Sequence, residues 1–237
     1  MKKEIIEKNT SNKMAWIGIG VFILYFIYNY FNAIPLELLG IDITKLNLLS
    51  KVLYMLTTEL LFIIVLFIIY RKTFINNFKS FIKNFKNNIK EYIQYWACAF
   101  GLMILTNLII VTLFPNSMAT NQESINSIFS KAPIYMIISA VLFAPIVEET
   151  VFRLSIRNIF KNDKFFILIS GFVFGALHVV SSFNNFIDLI YILPYSIPGF
   201  FFAYALVKSK NIFVPISLHL FHNGFSMLVT CILSFLI

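Results

Sequence analysis

Long apolar segments alternate with short polar or basic segments along this chain of 237 residues. A helix needs about 20 apolar residues to cross the hydrocarbon core of a bilayer, so each long segment predicts one membrane-spanning helix. The pattern predicts seven spans, at residues 14–33, 52–70, 91–114, 133–156, 165–181, 186–207 and 212–237. The predicted fold class is therefore an all-α polytopic membrane protein.

Prolines modify two of the predicted spans. The fourth span is entered through Pro133 and is expected to kink at Pro145, because a proline inside a helix removes a backbone hydrogen bond. The sixth span contains Pro194 and Pro198. It could instead form two short broken helices, which would raise the count to about eight spans.

Residues 73–90 lie between the second and third predicted spans and show a different pattern. Phe74, Phe78, Phe81 and Phe85 recur at helical spacing, with lysines at other positions. This pattern predicts an amphipathic helix on the cytoplasmic leaflet, attracted to anionic lipid. An ordinary basic cytoplasmic loop is the alternative.

The placement of basic residues predicts how the chain is oriented. If the N-terminus is cytoplasmic, the 19 Lys and Arg residues lie in or beside cytoplasmic segments, except for Lys45, Lys51 and Lys131. Cytoplasmic loops typically carry such an excess. The net charge of +8 therefore indicates membrane topology, and no basic face for a nucleic acid is evident. We expect a multi-pass protein of the cell membrane.

The composition supports one integral-membrane domain over residues 1–237. Hydrophobic residues make up 59% of the chain and the mean hydropathy is +0.83, whereas soluble domains are about 45–50% apolar. Cys98 and Cys231 fall in apolar segments, where we expect helix packing rather than a disulfide or a cysteine-based metal site. The first apolar run is too long for a signal-peptide core and is expected to remain as the first span.

Ionisable residues inside the apolar segments form the candidate site, because charge in hydrocarbon is costly and therefore rare. The segment E-E-T-V-F-R begins at Glu148. Glu149 and Arg153 are four residues apart on one helix face and can neutralise each other. Glu148 points about 100° away and has no partner in its own helix. Such a carboxylate is suited to general base or acid catalysis, and solvated charges at a helix end are the alternative.

The fifth span supplies a histidine on a face that can approach another helix closely. Phe174 and His178 are four residues apart, and Gly171 and Gly175 near that face form a small-xxx-small pair. His178 could then reach a carboxylate of a neighbouring helix. A histidine bonded to a backbone carbonyl is the alternative.

The seventh span supplies a second histidine and an asparagine. His219 and Asn223 share a face and offer two donors toward one point, as an oxyanion site requires. A polar contact between helices is the alternative, and His222 points elsewhere. Counted along the helices, Glu148, His178, His219 and Asn223 can meet in the inner half of the bilayer.

A zinc site built from Glu148, His178 and His219 is a competing interpretation. Zinc proteases normally show H-E-x-x-H on one helix, and this motif is absent from the sequence. We therefore favour metal-free carboxylate chemistry without a cofactor.

The three motifs together resemble the CPBP family, named for CAAX proteases and bacteriocin-processing proteins and also called Abi. This family is related to the type II CAAX prenyl endopeptidases. Its pattern of E-E-x-x-x-R, F-x-x-x-H and H-x-x-x-N occurs in order at residues 148–153, 174–178 and 219–223. The resemblance covers residues 133–237, which we expect to be the catalytic core.

The resemblance implies hydrolysis of a peptide bond inside the membrane. Glu148 with His178 would position and activate a water molecule. His219 and Asn223 would stabilise the oxyanion. Structural support would come from Glu149, Arg153 and Phe174.

Three functional hypotheses follow for this chain. The first is a glutamate-dependent intramembrane endopeptidase acting on a bacteriocin or pheromone precursor or another membrane peptide. The abundance of Phe, Ile, Lys and Asn suggests a low-GC bacterium, where a prenylated substrate is not expected. The second is a non-proteolytic bacteriocin immunity or scaffold protein, and the third is a small transporter with a proton relay. Membrane lipid and a peptide are the expected partners, and the sequence does not indicate an oligomeric state.

Overall fold

Helices make up the secondary structure of the computed structural model, which describes residues 2–115, 119–180, 183 and 185–236. We number the long helices in chain order: α1 Lys2–Phe31, α2 Leu48–Lys83, α3 Phe85–Leu113, α4 Pro133–Ile159, α5 Asp163–Val180, α6 Ile192–Ser209 and α7 Phe213–Leu236. Shorter helical turns occur at Ile34–Leu38, Ile43–Lys45, Thr120–Lys131 and Phe186–Tyr191. No strand occurs among the described residues.

Six helices in the described residues are long and apolar enough to cross a membrane. They are Ser11–Phe31 within α1, then α2, α3, α4 and α5, and finally Phe186–Ser209, which ends with α6. The seventh predicted segment also forms a helix, α7, over Phe213–Leu236. The prediction of an all-α polytopic membrane protein is confirmed, and the chain is a multi-pass membrane protein.

Two of the predicted segments have different boundaries in the structure. The sixth is not divided into two α-helices, because α6 continues through Pro198. Residues 73–90 are helical but are shared between two helices, since α2 runs on to Lys83 and α3 begins at Phe85. α2 has non-helical backbone angles at Tyr70 (φ −103°, ψ 18°), so the amphipathic part follows a kink.

The amphipathic part of α2 is fixed to the connection between α6 and α7. The Asn77 backbone carbonyl accepts a hydrogen bond from Asn211 Nδ2, and its side-chain Oδ1 accepts one from the Ile212 N–H, both at 2.8 Å. Phe74 and Phe81 on the same segment are buried. This segment therefore packs against the helical bundle with its apolar face.

Glycines allow two pairs of helices to approach closely. On α5, a Cβ added at Gly171 would lie 2.1 Å from the Phe200 ring, and one at Gly175 would lie 2.1 Å from Ser196 Oγ. The predicted close approach at this small-xxx-small pair is therefore confirmed, and the neighbour is α6. On α1, a Cβ at Gly18 would lie 2.4 Å from the Ser155 carbonyl oxygen, so α1 lies directly against the end of α4.

Replacing Gly175 with alanine should destabilise the protein and displace His178. The added Cβ would lie 2.7 Å from both the carbonyl oxygen of Ile192 and the amide nitrogen of Ser196, so α5 would have to move away from α6. Overpacking of this kind costs about 1–3 kcal/mol, which thermal unfolding in detergent can measure. Gly101→Ala is the matched control, because no described atom lies within 4 Å of a Cβ there. Equal losses in both variants would contradict the packing argument.

Candidate active site

α4 departs from ideal α-helical geometry on both sides of its two adjacent glutamates. π-helical stretches at Ile137–Phe143 and Thr150–Ser155 flank the α-helical turn Ala144–Glu149. In the first stretch, the N–H of Ala144 donates to the carbonyl of Ser139, five residues earlier. Pro145, the next residue, has no N–H to donate. Such π-helical turns inside α-helices are often found at functional sites.

Glu149 is fully buried and joins Arg153 to His219. Glu149 Oε2 lies 3.0 Å from Arg153 Nε, and Oε1 lies 2.9 Å from His219 Nδ1. Arg153 is also fully buried, and its Nη1 donates to Ser170 Oγ at 3.1 Å. The pairing predicted from the four-residue spacing is confirmed by this ion pair. The same network connects α4 with α5 and α7, and the contact with His219 could not be deduced from spacing.

Arg157 does not extend this network, although it lies on the same stripe of α4 in the sequence. Its Nη2 pairs with Asp163 Oδ1 at 2.5 Å, and its Nη1 donates to the Lys161 carbonyl at 2.9 Å. These contacts lie in the connection between α4 and α5, at the end of the bundle.

Two histidines direct their Nε2 atoms toward Glu148. His178 Nδ1 lies 2.8 Å from the Phe174 carbonyl, which can only accept, so Nδ1 carries the proton. His219 Nδ1 donates to the Glu149 carboxylate in the same way. The Nε2 atoms of His178 and His219 then lie 3.9 Å and 3.7 Å from Glu148 Oε2. The structure thus brings Glu148, His178 and His219 together.

Glu148 differs from Glu149 in its surroundings. Its side chain is 17% exposed, and its Oε2 is buried without a hydrogen-bond partner in the described part of the chain. The carboxylate lines a cavity of about 630 Å³, together with His178, His219 and Asn223. The cavity extends to Gln122 in the short helix Thr120–Lys131. Glu148 is therefore the carboxylate that a molecule in this cavity would meet.

Residues 130–225 match the family model described as type II CAAX prenyl endopeptidase Rce1-like. The putative membrane peptidase YdiL of Bacillus subtilis is 33% identical over 112 residues, which is 46% of this chain and 42% of that protein. UPF0177 protein YvdC of Lactococcus lactis is 27% identical over 139 residues, 58% of this chain and 51% of that protein. These similarities support a relation of the chain to the CPBP family.

The match to these relatives is partial. An uncharacterized protein of Mycoplasma capricolum is 35% identical over 134 residues, 53% of this chain and 38% of that protein. The chain thus spans about half or less of the curated relatives it matches. No solved structure matches the chain significantly. The segment that matches the family model, residues 130–225, nevertheless contains all the motif residues, from Glu148 to Asn223.

Phe174 of the CPBP pattern supports both histidines. Its ring centre lies 4.4 Å from that of His178 and 5.6 Å from that of His219. The guanidinium carbon of Arg153 lies 4.6 Å from the same ring centre, on its face. Phe174 thus fills the space between the buried ion pair and the histidines.

Asn223 of the CPBP pattern lines the cavity but also has a structural contact. Its Nδ2 donates to the Ala140 backbone carbonyl at 2.8 Å. In the π-helical pattern this carbonyl would accept from residue 145, which is proline, so the asparagine amide supplies the missing donor. The sequence predicted that His219 and Asn223 would direct donors toward one point, and one N–H of the amide is instead used to hold α7 against α4.

Metal ligation was the competing interpretation of this site. Among the described residues, no group of three or more His, Cys, Asp or Glu side chains is arranged to hold a metal ion. The Nε2 atoms of His219 and His178 lie 3.7 Å and 3.9 Å from Glu148 Oε2. A chelation experiment tests the zinc interpretation directly.

Glu59 is a further membrane-embedded carboxylate that the sequence analysis overlooked. Its Oε1 accepts hydrogen bonds from Tyr135 Oη at 3.1 Å and from Ser139 Oγ at 2.8 Å. Both donors lie on α4, one of them in the π-helical stretch, so Glu59 fixes α2 to the helix that carries Glu148. The signal was available, because Glu59 is the lone charged residue in the apolar segment 52–70.

Proposed function

We propose that this chain is a glutamate-dependent intramembrane endopeptidase that hydrolyses a peptide bond in a membrane-associated peptide or protein. The observation that carries this proposal is the convergence of two imidazole Nε2 atoms on Glu148 Oε2, at 3.7 Å and 3.9 Å. Separations of this size fit a bridging water better than a direct hydrogen bond. The Rce1-like match and the similarity to a putative membrane peptidase support a membrane protease in general.

In the proposed reaction, Glu148 acts as the general base. Its carboxylate takes a proton from the water molecule positioned with His178, and the water oxygen bonds to the carbonyl carbon of the substrate. The tetrahedral intermediate then collapses, the carbon–nitrogen bond breaks, and the leaving amine takes the proton from Glu148. The carboxylate returns to its starting form, so the cycle needs no other reactant than water.

The negative oxygen of the intermediate is stabilised by donors from α7. His219 can donate from Nε2 when it is an imidazolium, and the buried Glu149 carboxylate on its Nδ1 stabilises that cation, as in a Ser-His-Asp triad. Asn223 can donate with the second N–H of its amide, because the first is held by Ala140. Arg153 then neutralises the charge of Glu149 throughout the cycle.

We propose a bacteriocin or pheromone precursor, or another membrane peptide, as the substrate, because the cavity lies among the membrane-spanning helices and offers apolar side chains together with polar ones such as Asn107 and Gln122. We also propose a cell-membrane location with a cytoplasmic N-terminus, in line with the distribution of lysines and arginines. The catalytic core proposed for residues 133–237 receives walls from earlier helices, since Met103 and Asn107 of α3 line the same cavity.

Cells carrying Glu148→Gln should accumulate an uncleaved membrane peptide, because hydrolysis stops while the protein stays inserted. Mass spectrometry of membrane peptides from wild-type and variant cells would measure this accumulation. Glu123→Gln is the matched control, since Glu123 is an exposed glutamate on the short helix Thr120–Lys131.

Three other results would contradict the proposal that this chain is a protease. Identical peptide profiles in all strains would remove the evidence for hydrolysis. Protection against a bacteriocin that survives Glu148→Gln would favour the immunity or scaffold protein. Solute- or proton-coupled flux in vesicles that depends on Glu148 would favour the transporter.

A further inference from the structure

Glu148 and His178 line two cavities. Besides the large cavity bounded by α3, α6 and α7, a smaller one of about 300 Å³ lies on the side of α1. We call this the α1 pocket. Its α1 residues are Tyr25, Phe26, Asn29 and Tyr30, with Phe152 and Leu177 completing the wall. The two residues common to both cavities, Glu148 and His178, are thus the ones that position and activate the water molecule in the proposed reaction.

The shape of the α1 pocket follows from the exposure of its residues. Phe152 is 1% exposed, and the Tyr25 ring meets it edge-on with the centres 5.2 Å apart, so these rings form a closed apolar base. Tyr30 is 67% exposed, and Asn29 is exposed as well, so these two form the rim. The pocket is therefore open at one end of α1 and closed beside Phe152.

The size and lining of the pocket indicate its occupant. A volume of about 300 Å³ is at the lower end of the range for small-molecule sites, which suits one large side chain better than several residues. Four of the lining residues are aromatic, and aromatic rings prefer edge-to-face or offset contacts with other rings. An aromatic side chain fits the part of the pocket that is lined by rings, whereas Asn29, Glu148 and His178 make the rest of the lining polar.

We infer that the α1 pocket is a specificity subsite that takes a large apolar, preferentially aromatic, side chain directly beside the scissile bond. This inference rests on the proposed function. A peptide that lies across Glu148 would place one flank in the large cavity and the first side chain of the other flank in the α1 pocket. This arrangement accommodates substrate on both sides of the bond, as an endopeptidase needs.

Phe26 is the residue at which this subsite can be tested with least damage to the fold. Its ring contacts are with Phe22, Tyr25 and Tyr30, all on α1, at centre-to-centre distances of 5.2, 5.9 and 6.4 Å. Phe26→Ala would enlarge the pocket, and Phe26→Trp would narrow it. Phe31→Ala is the matched control, because Phe31 is a 55% exposed residue of the same helix outside both cavities.

The experiment is cleavage of a proteome-derived peptide library by the purified full chain in detergent, with the new termini identified by mass spectrometry. The wild type should show large apolar residues enriched at one position beside the cleaved bond. Phe26→Ala should reduce the preference for aromatic over small residues by about 10-fold, and Phe26→Trp should shift it toward smaller residues. Phe31→Ala should leave the profile unchanged.

The outcomes separate this inference from the proposed function. Absence of any cleavage by the wild type would overturn both. Cleavage without enrichment at either flank, or with the same profile in both Phe26 variants, would overturn the subsite alone. A uniform loss of rate in both variants would show that the pocket holds lipid or serves the packing of the helices and does not bind substrate. This result would also overturn the subsite. Opposite shifts in the two variants cannot come from a folding defect.

Discussion

Replacing Glu148 with glutamine should abolish peptide-bond hydrolysis and leave the protein folded and inserted. Glutamine has the size of glutamate but cannot take a proton from water, and loss of a general base costs about 10²–10⁴-fold in rate. Because Glu148 Oε2 makes no hydrogen bond in the described structure, the change leaves no buried partner unsatisfied. Cleavage kinetics and thermal unfolding of the purified variant would measure the two effects separately.

Glu149→Gln is the matched control, since it makes the same chemical change at the adjacent residue. Glu149 is fully buried between Arg153 and His219, so its variant should lose stability as well as activity. Retained hydrolysis in Glu148→Gln, or equal loss of stability in both variants, would show that the two carboxylates do not have separate roles. The same assay tests zinc: activity lost on chelation and restored by zinc would overturn the metal-free mechanism.

Contacts within one helix could be predicted from the sequence, because helical spacing fixes which residues share a face. Glu149 and Arg153 pair as their spacing predicts, with 3.0 Å between Oε2 and Nε. The glycines of α5 likewise mark the face that meets α6. The contact between Glu149 and His219 joins residues of two helices whose relative rotation depends on packing, and no spacing rule describes that rotation.

The backbone of α4 shows a second limit of sequence reasoning. Pro145 indicates that one hydrogen bond is missing, but a missing bond can be accommodated by a bend or by a wider turn. The structure has a π-helical stretch there, with Asn223 bonded to Ala140 on one side and Glu59 bonded to Ser139 on the other. Both contacts come from other helices, so the form of the irregularity could not be deduced from α4 alone.

The segment between α3 and α4 also has a structure that depends on its surroundings in the fold. The sequence indicates a polar loop over residues 115–132, yet Thr120–Lys131 is a helix, and its Gln122 and Ile125 line the cavity. These two residues are three apart and therefore share a face, which is a periodic signal too short to distinguish from chance. In the structure, this face of the helix borders the cavity.

Replacing Arg153 with methionine should have the largest effect on stability. The change keeps an apolar side chain of similar length but leaves the Glu149 carboxylate, fully buried, without its cation. Removing one partner of a buried ion pair costs about 3–5 kcal/mol. The variant should therefore unfold at a much lower temperature in detergent, and thermal unfolding followed by size-exclusion chromatography would measure the loss.

Arg157→Met is the matched control for Arg153→Met. Arg157 pairs with an exposed aspartate, Asp163, and exposed pairs contribute about 0–1 kcal/mol. A double variant, Glu149→Leu with Arg153→Met, should recover part of the stability lost in the single variant, because no unpaired charge then remains buried. It should stay inactive, since His219 no longer has a carboxylate on Nδ1. Equal stability of the two single arginine variants would contradict the stabilising role of this ion pair, and activity in the double variant would contradict its role in supporting His219.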